Sequence, residues 1–462
     1  MATAGRREVA DLVVVGGSIG GLAAAVMVAD QGGRVVTVER LKEPGGGAAG
    51  EPEHLAIAGS PQQAAAGIDD SPAVLVADLV SETHHHVDPA LATAVTEQGA
   101  PLLAWLASRC GLNADLVLDS AYRGHSAARI HSLGARGGIV LIEALRAIVA
   151  RHHRVRVFPG VAVVRLTQDE GGRVTGVELE SKRRSDPAAV AGAVALACGG
   201  YAADDELIAR VAPDLAAIPA RACPTATGDG LRLAESVGAR VEELAACAVT
   251  PFLTMPGDLA VDPALVSHGA ILVNQAGRRF VDETADSLVV AQAVNRQPGH
   301  VAYLLFDARA AERAAAHSPH FATTVLRQSV RRAGSVADVA TQLELDEQGL
   351  TLTLDTFNAN IDLGGDPFGR EGAAHPLAAP LQAIRVTPSR RRSLGGVAID
   401  RDARVLGEGG EPIGNLYAVG GVVGGLGRGG PADELPGMAP LITLATARMT
   451  ALAWQAARPT DD

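Results

Sequence analysis

A glycine-rich turn near the N-terminus constrains this chain more than any other feature. Leu12-Val13-Val14-Val15 runs directly into Gly16-Gly17-Ser18-Ile19-Gly20-Gly21, and an alanine-rich stretch over 22–31 follows. A short, continuous apolar run suits a parallel strand buried on both faces. The alanine-rich stretch favours helix, and Gly32-Gly33 stops it. Residues 34–39, with Val35, Val36 and Val38, read as a second strand. Such a unit aims the free N–H groups and positive end of its helix at a pyrophosphate. Gly16 permits the tight turn out of the strand, and Gly21 lets helix and strand pack closely. Glu39 ends the second strand 23 residues after Gly16, where a carboxylate meets the ribose hydroxyls of an adenine dinucleotide. Ser18 replaces the middle glycine of the usual G-x-G-x-x-G pattern and is small enough for the same backbone approach.

The rest of the chain has to be accommodated around that unit. At 462 residues it exceeds one small core, which predicts two domains or one large domain with an insertion. A formal net charge of −12 repels phosphate backbones, so nucleic acid is not an expected partner. Cys110, Cys198, Cys223 and Cys247 show no C-x-x-C spacing, which suits reduced thiols and a cytoplasmic location. No apolar run reaches the length of a membrane span, so no membrane association is expected.

Residues 155–158, 161–167 and 174–180 read as strands, the last two joined by a glycine-containing turn. A further apolar strand over 193–197 ends in Cys198-Gly199-Gly200. Far downstream, Asn415-Leu416-Tyr417-Ala418-Val419 runs into Gly420-Gly421, and residues 440–455 read as a closing helix. A domain holding only a nicotinamide dinucleotide would not need its C-terminus back at the nucleotide.

These stretches, taken together, resemble the FAD-dependent fumarate reductase and 3-ketosteroid dehydrogenase superfamily, of the succinate dehydrogenase flavoprotein type. The resemblance covers nearly the whole chain. It rests on 16–39, 173–178 (R-V-T-G-V-E), 197–201 (A-C-G-G-Y), 227–230 (T-G-D-G), 394–400 (L-G-G-V-A-I-D) and 416–420 (L-Y-A-V-G). The most specific block is 269–283, G-A-I-L-V-N-Q-A-G-R-R-F-V-D-E. The resemblance implies an α/β fold: a Rossmann-like FAD-binding domain over 1–246 and 391–462, with an inserted α+β capping domain over 247–390. It implies FAD contacts at Gly16, Ser18, Ile19, Gly20, Gly21, Glu39, Arg40, Gly46, Gly47 and Val163. Further contacts are implied at Cys198, Gly199, Gly200, Asp229, Gly420, Gly421 and Leu441. The covalent-flavin histidine of the membrane enzymes has no counterpart in the pattern, so FAD is expected to be non-covalent.

The catalytic positions depart from the family. Fumarate reductases place an arginine proton donor four residues after the Glu of R-F-V-x-E, and ketosteroid dehydrogenases place a tyrosine there. Here that Glu is Glu283 and the position is Ser287, a poor general acid near neutral pH. The family's T-E-x-x-R clamp is replaced by Asp262-Pro263-Ala264-Leu265-Val266. Arg392 stands where a substrate-binding histidine usually precedes the L-G-G-V segment, and Gly421 replaces an acid near the flavin. Simple fumarate or succinate chemistry is therefore not expected.

Arg392 is the leading candidate to bind an anion, a carbonyl oxygen or reduced-flavin charge. Arg390 and Arg391 read instead as a solvated hinge. Arg428, in the glycine-rich loop 424–430, Tyr122 and His131 complete the candidate catalytic set with Ser287. His84-His85-His86 precedes Asp88-Pro89, a helix cap, and no ligand cluster accompanies it, so no metal is expected. The function expected is an FAD-dependent oxidoreductase that dehydrogenates or reduces a C–C bond next to a carbonyl. Its substrate would be a non-dicarboxylate small molecule, either a ketone or a steroid-like or secondary metabolite, with an unidentified electron donor or acceptor as partner. A monooxygenase or oxidase reacting with O2, and a flavin-binding protein with a non-redox or lost activity, remain as alternatives.

Overall fold

The computed structural model describes residues 7–46, 54–83, 86–118, 122, 124–134, 137–181, 187–221, 224–262, 264–318, 320–363, 365–370, 375–426 and 435–458. Gly47, His84, His85, Cys223 and Arg428 lie outside the described residues.

Five strands stand side by side and parallel, in the order Pro412–Ala418, Ala189–Leu196, Arg7–Val15, Val35–Glu39 and Val155–Pro159. The C-terminal strand thus returns to the sheet of the N-terminal unit, with Ala189–Leu196 between it and Arg7–Val15. Arg404–Leu406 pairs antiparallel with Pro412–Ala418, and the hairpin Val161–Gln168 with Val174–Ser181 joins Ala189–Leu196. Val13 and Val14 are fully buried, as a strand covered on both faces requires. Helix Ile19–Asp30 is buried from Ile19 to Ala29 and packs against the C-terminal helix Met438–Ala456. Its alanines and glycines allow that contact, because small side chains bring helix axes close.

A second sheet is antiparallel, ordered Cys247–Thr254, Leu381–Ser393, Ala302–Asp307 and Ile271–Val273, with Arg331–Ala333 also paired to Leu381–Ser393. Its faces alternate residue by residue. Leu304 and Phe306 join one core with Phe252 and Phe321, whereas Tyr303 and Leu305 join another with Leu350 and Phe357. Strands Cys247–Thr254 and Leu381–Ser393 carry the chain between the two sheets, and residue 390 falls inside the second of them. Among the described residues, no helix is long and apolar enough to cross a membrane.

Candidate functional site

The parallel strands all end at one edge, at Val15, Glu39, Pro159, Leu196 and Ala418. Ligands of open α/β sheets bind beyond that edge. A cavity of about 1220 Å³ opens there and extends to the inner side of the antiparallel sheet. Single small-ligand pockets run to roughly 1,000 Å³, so this one has room for a dinucleotide and a second molecule.

At the nucleotide end the backbone is held by packing that admits no side chain. Gly16 has φ +110°, and a Cβ there would stand 2.5 Å from the Ala197 carbonyl oxygen; a Cβ on Gly21 would stand 2.1 Å from that of Gly16. Ser18 is the N-cap of helix Ile19–Asp30: its Oγ accepts from the Gly21 amide at 3.2 Å and donates to the Ala197 carbonyl at 2.9 Å. The serine therefore ties the helix start to the neighbouring strand. Glu39 accepts from the Gly17 amide through Oε2 and from the Leu41 amide through Oε1, each at 2.7 Å. Both oxygens retain lone pairs for ribose hydroxyls.

Gly16, Ser18, Ile19, Glu39, Arg40, Gly46 and Val163 line the cavity, as do Cys198, Gly199, Gly200, Asp229, Gly420 and Gly421. Arg40 pairs with Asp229 at 2.8 Å and donates to the Thr225 carbonyl, which holds the rim of the site. Burial pushes the Cys198 thiol up to about 12, so it stays protonated. Gly199 has φ +79° with nothing within 4 Å of a Cβ position, so bare backbone faces the ligand space. Helix dipole, the acid at the end of the second strand and this exposed backbone fit FAD. Gly20, Gly21 and Leu441 do not line the cavity: Leu441 is fully buried in the core, and its neighbours Pro440 and Ile442 reach the wall instead.

At the other end the wall comes from both sheets. Tyr122, Ser287 and Arg392 all line it, so three of the expected catalytic side chains share one space. His131 does not. It is fully buried, with Nδ1 2.9 Å from the Arg129 carbonyl and Nε2 3.0 Å from Ser60 Oγ, and it serves the core. Ser287 is the first residue of helix Ser287–Asn295, capped by Asp286. Glu283 is buried between Arg279 and Arg370; desolvation raises its pKa while the two guanidinium groups oppose the shift. That ion-paired Glu anchors the loop before Ser287.

The arginine run departs from the expected hinge. Leu381–Ser393 pairs with Cys247–Thr254 so that Arg392 faces Ala248 and Arg390 faces Val249, leaving Arg391 as the extra residue of a β-bulge. A bulge breaks strand alternation and re-aims a side chain. Arg391 and Arg392 consequently both line the cavity. Arg390 is buried and forms an ion pair with Asp205, while Arg385 is exposed. Sequence reasoning also passed over His54, His268 and His320, and treated Asp262 only as a lost clamp; all four line the same cavity. Lone histidines in unremarkable surroundings carried no signal. Phe252, Val261, Val266 and Val290 add apolar stretches to the wall.

The family described as FAD binding domain matches residues 11–437. The chain is 29% identical over 419 residues to NADH:fumarate oxidoreductase of Klebsiella pneumoniae, covering 90% of this chain but 44% of that protein. It is 29% identical to fumarate reductase (cytochrome) of Shewanella frigidimarina, covering 91% and 73%. It is 26% identical to 4-oxocyclohexanecarboxylate 2-dehydrogenase of Sinomonas cyclohexanicum, covering 98% and 94%. Among solved structures, an open flavocytochrome c3 fumarate reductase superposes with a TM-score of 0.85 at 25% identity, covering 97% and 78%. The 3-ketosteroid-Δ4-(5α)-dehydrogenase of Rhodococcus jostii RHA1, complexed with 4-androstene-3,17-dione, gives 0.70 at 25%, covering 97% of each chain. A nucleotide cradle at the strand ends, a lined space beyond it and these relationships converge: the chain belongs to the FAD-binding-domain family and is an FAD-dependent oxidoreductase of the fumarate reductase and ketosteroid dehydrogenase type.

Proposed function

We propose that this protein dehydrogenates, or in reverse reduces, a C–C bond next to the carbonyl of a ketone that carries at most one carboxylate. The observation that carries this reading is the wall beyond the nucleotide cradle. Two adjacent arginines, Arg391 and Arg392, line the same space as the apolar side chains of Phe252, Val261, Val266 and Val290. Such a surface suits a hydrophobic ring with one polar end. The names of two relatives, one for a cyclic keto acid and one for a steroid ketone, support the same class.

FAD, when bound, takes up or returns a hydride at the substrate's β-carbon. The chain's own residues do the rest. Arg392 donates to the carbonyl oxygen as negative charge gathers there, and Arg391 holds a carboxylate on the ring. Apolar side chains from the antiparallel sheet exclude water, which strengthens both interactions. An external electron donor or acceptor completes the cycle.

The test is anaerobic. Purified FAD-loaded protein is mixed with 4-oxocyclohexanecarboxylate, 4-androstene-3,17-dione or succinate, and the visible flavin band is followed. Bleaching by a ketone but not by succinate is the expected result. Bleaching by succinate alone would refute the substrate class. A flavin that no organic compound reduces or reoxidises, but that O2 reoxidises, would favour oxygen chemistry.

A further inference from the structure

The cavity has lost the family's proton donor at Ser287, yet α-carbon chemistry next to a carbonyl needs a group that takes or gives a proton. Among the ionisable side chains that line the same cavity and are not absorbed by the reading above are His54, Asp262, His268 and His320. Three of them are electrostatically linked. Asp262 acts on both His54 and His320. His54 lies on the short strand His54–Ala56, beside the C-terminal helix, whereas Asp262 and His320 belong to the segments around the antiparallel sheet. The field of one carboxylate therefore reaches imidazoles contributed by both halves of the cavity.

His54 has a second distinguishing feature. Its ring stands edge-on to Tyr122, with centroids 5.5 Å apart, and its Nε2 is buried without a hydrogen-bond partner. Buried polar atoms are nearly always paired, so an orphan in the wall of a ligand cavity points to a partner that arrives with the ligand.

We propose that His54 is the acid–base residue of this cavity, and that Asp262 is a positioning residue for it. The proposal rests on the ketone reading. In the dehydrogenating direction the α-C–H bond breaks, its proton goes to the His54 imidazole, and its electron pair remains on the substrate as an enolate. The β-hydride then leaves to FAD, and the enolate electrons form the new C=C bond. His54 ends as an imidazolium in the field of Asp262, and the substrate has lost one proton and one hydride.

The electrostatics agree with this direction. Burial holds the pKa of His54 and of His320 below the usual histidine range, against the pull of Asp262. Both rings are therefore neutral at neutral pH and ready to accept a proton. The titratable groups acting on His54 are Tyr122, at its ring edge, and Asp262.

Proton transfer can be tested apart from hydride transfer. FAD-loaded protein is reduced with dithionite under anaerobic conditions in D2O, and loss of the α-hydrogens of 4-oxocyclohexanecarboxylate is followed by proton NMR. The wild type is expected to exchange them above the buffer rate. His54→Gln should lower exchange by about 10²-fold or more, in the range of a general base, with flavin content and visible spectrum unchanged. Asp262→Asn should retain exchange but move its acid-side midpoint to lower pH, because the imidazolium loses its counter-charge; a merely structural role would not shift that midpoint. Wild-type exchange that survives His54→Gln overturns this inference and leaves the ketone reading standing. A wild type that exchanges nothing while succinate bleaches its flavin overturns both.

Discussion

Arg391 and Arg392 are neighbours in one strand, yet both line the cavity, because Arg391 is the extra residue of a bulge opposite Ala248 and Val249. In a regular strand one of them would point away. The bulge places two permanent positive charges side by side in the wall of the cavity.

That pairing predicts divided roles. Arg391→Ala should raise KM for 4-oxocyclohexanecarboxylate by about 10- to 100-fold while sparing a neutral ketone such as cyclohexanone, as loss of one charge-assisted hydrogen bond implies. Arg392→Ala should lower kcat by a similar factor for both compounds. Steady-state kinetics on the two compounds decide this; equal effects of both substitutions on both substrates would refute the division.

Glu39 is the one acid at the end of the second strand, and two backbone amides hold it. Glu39→Ala removes the acceptor for Gly17 and Leu41 and the expected ribose contact. FAD affinity should fall by at least about 100-fold, from loss of two or more hydrogen bonds to a charged group. Titration of the apoprotein by flavin fluorescence measures it directly.

His131 offers a contrast to the cavity residues. His131→Ala removes one partner each from the Ser60 hydroxyl, which keeps the Gln63 amide, and from the buried Arg129 carbonyl, and leaves a small void in a packed region. It should cost roughly 1–3 kcal/mol of stability. Thermal unfolding should register the loss, while kcat/KM of the folded, FAD-loaded protein stays unchanged.

Glu243 carries a pH prediction. Burial, with Glu242 beside it, pushes its carboxyl from 4.5 up to about 7. A proton is thus held more tightly in the folded chain than in the unfolded one, so this group adds stability as pH falls from about 7 toward 4.5 and withdraws it above 7. Glu243→Gln should raise the melting temperature at pH 8, and the advantage should fade by pH 5. An advantage independent of pH would show that the charge is not the cause.

The nucleotide half was legible along the chain because its determinants are local. Gly16, Gly21 and Glu39 act within one strand–helix–strand unit, and their spacing along the chain sets their positions in space. Even the departure at Ser18 kept its meaning, since a serine at the start of a helix caps it. The closing strand and helix were visible for the same reason: apolar runs and glycines mark buried parallel strands wherever they occur.

The substrate half was not legible in that way. The spacing of Tyr122, His131 and Arg392 along the chain says nothing of which will share a cavity, and His131 turned inward while His54, far from any motif, came to line the same cavity as Asp262. Arg390, Arg391 and Arg392 look equivalent as letters; only pairing with Cys247–Thr254 introduces the bulge that separates them. By itself the sequence determined that this chain would form a dinucleotide cradle at the end of a parallel strand, because short-range geometry and helix electrostatics suffice for that, and its motifs further along, through their resemblance to a known family, pointed to FAD. The tertiary structure decided which charges meet the second ligand, because those side chains arrive from strands and loops hundreds of residues apart and their directions depend on register, bulges and packing.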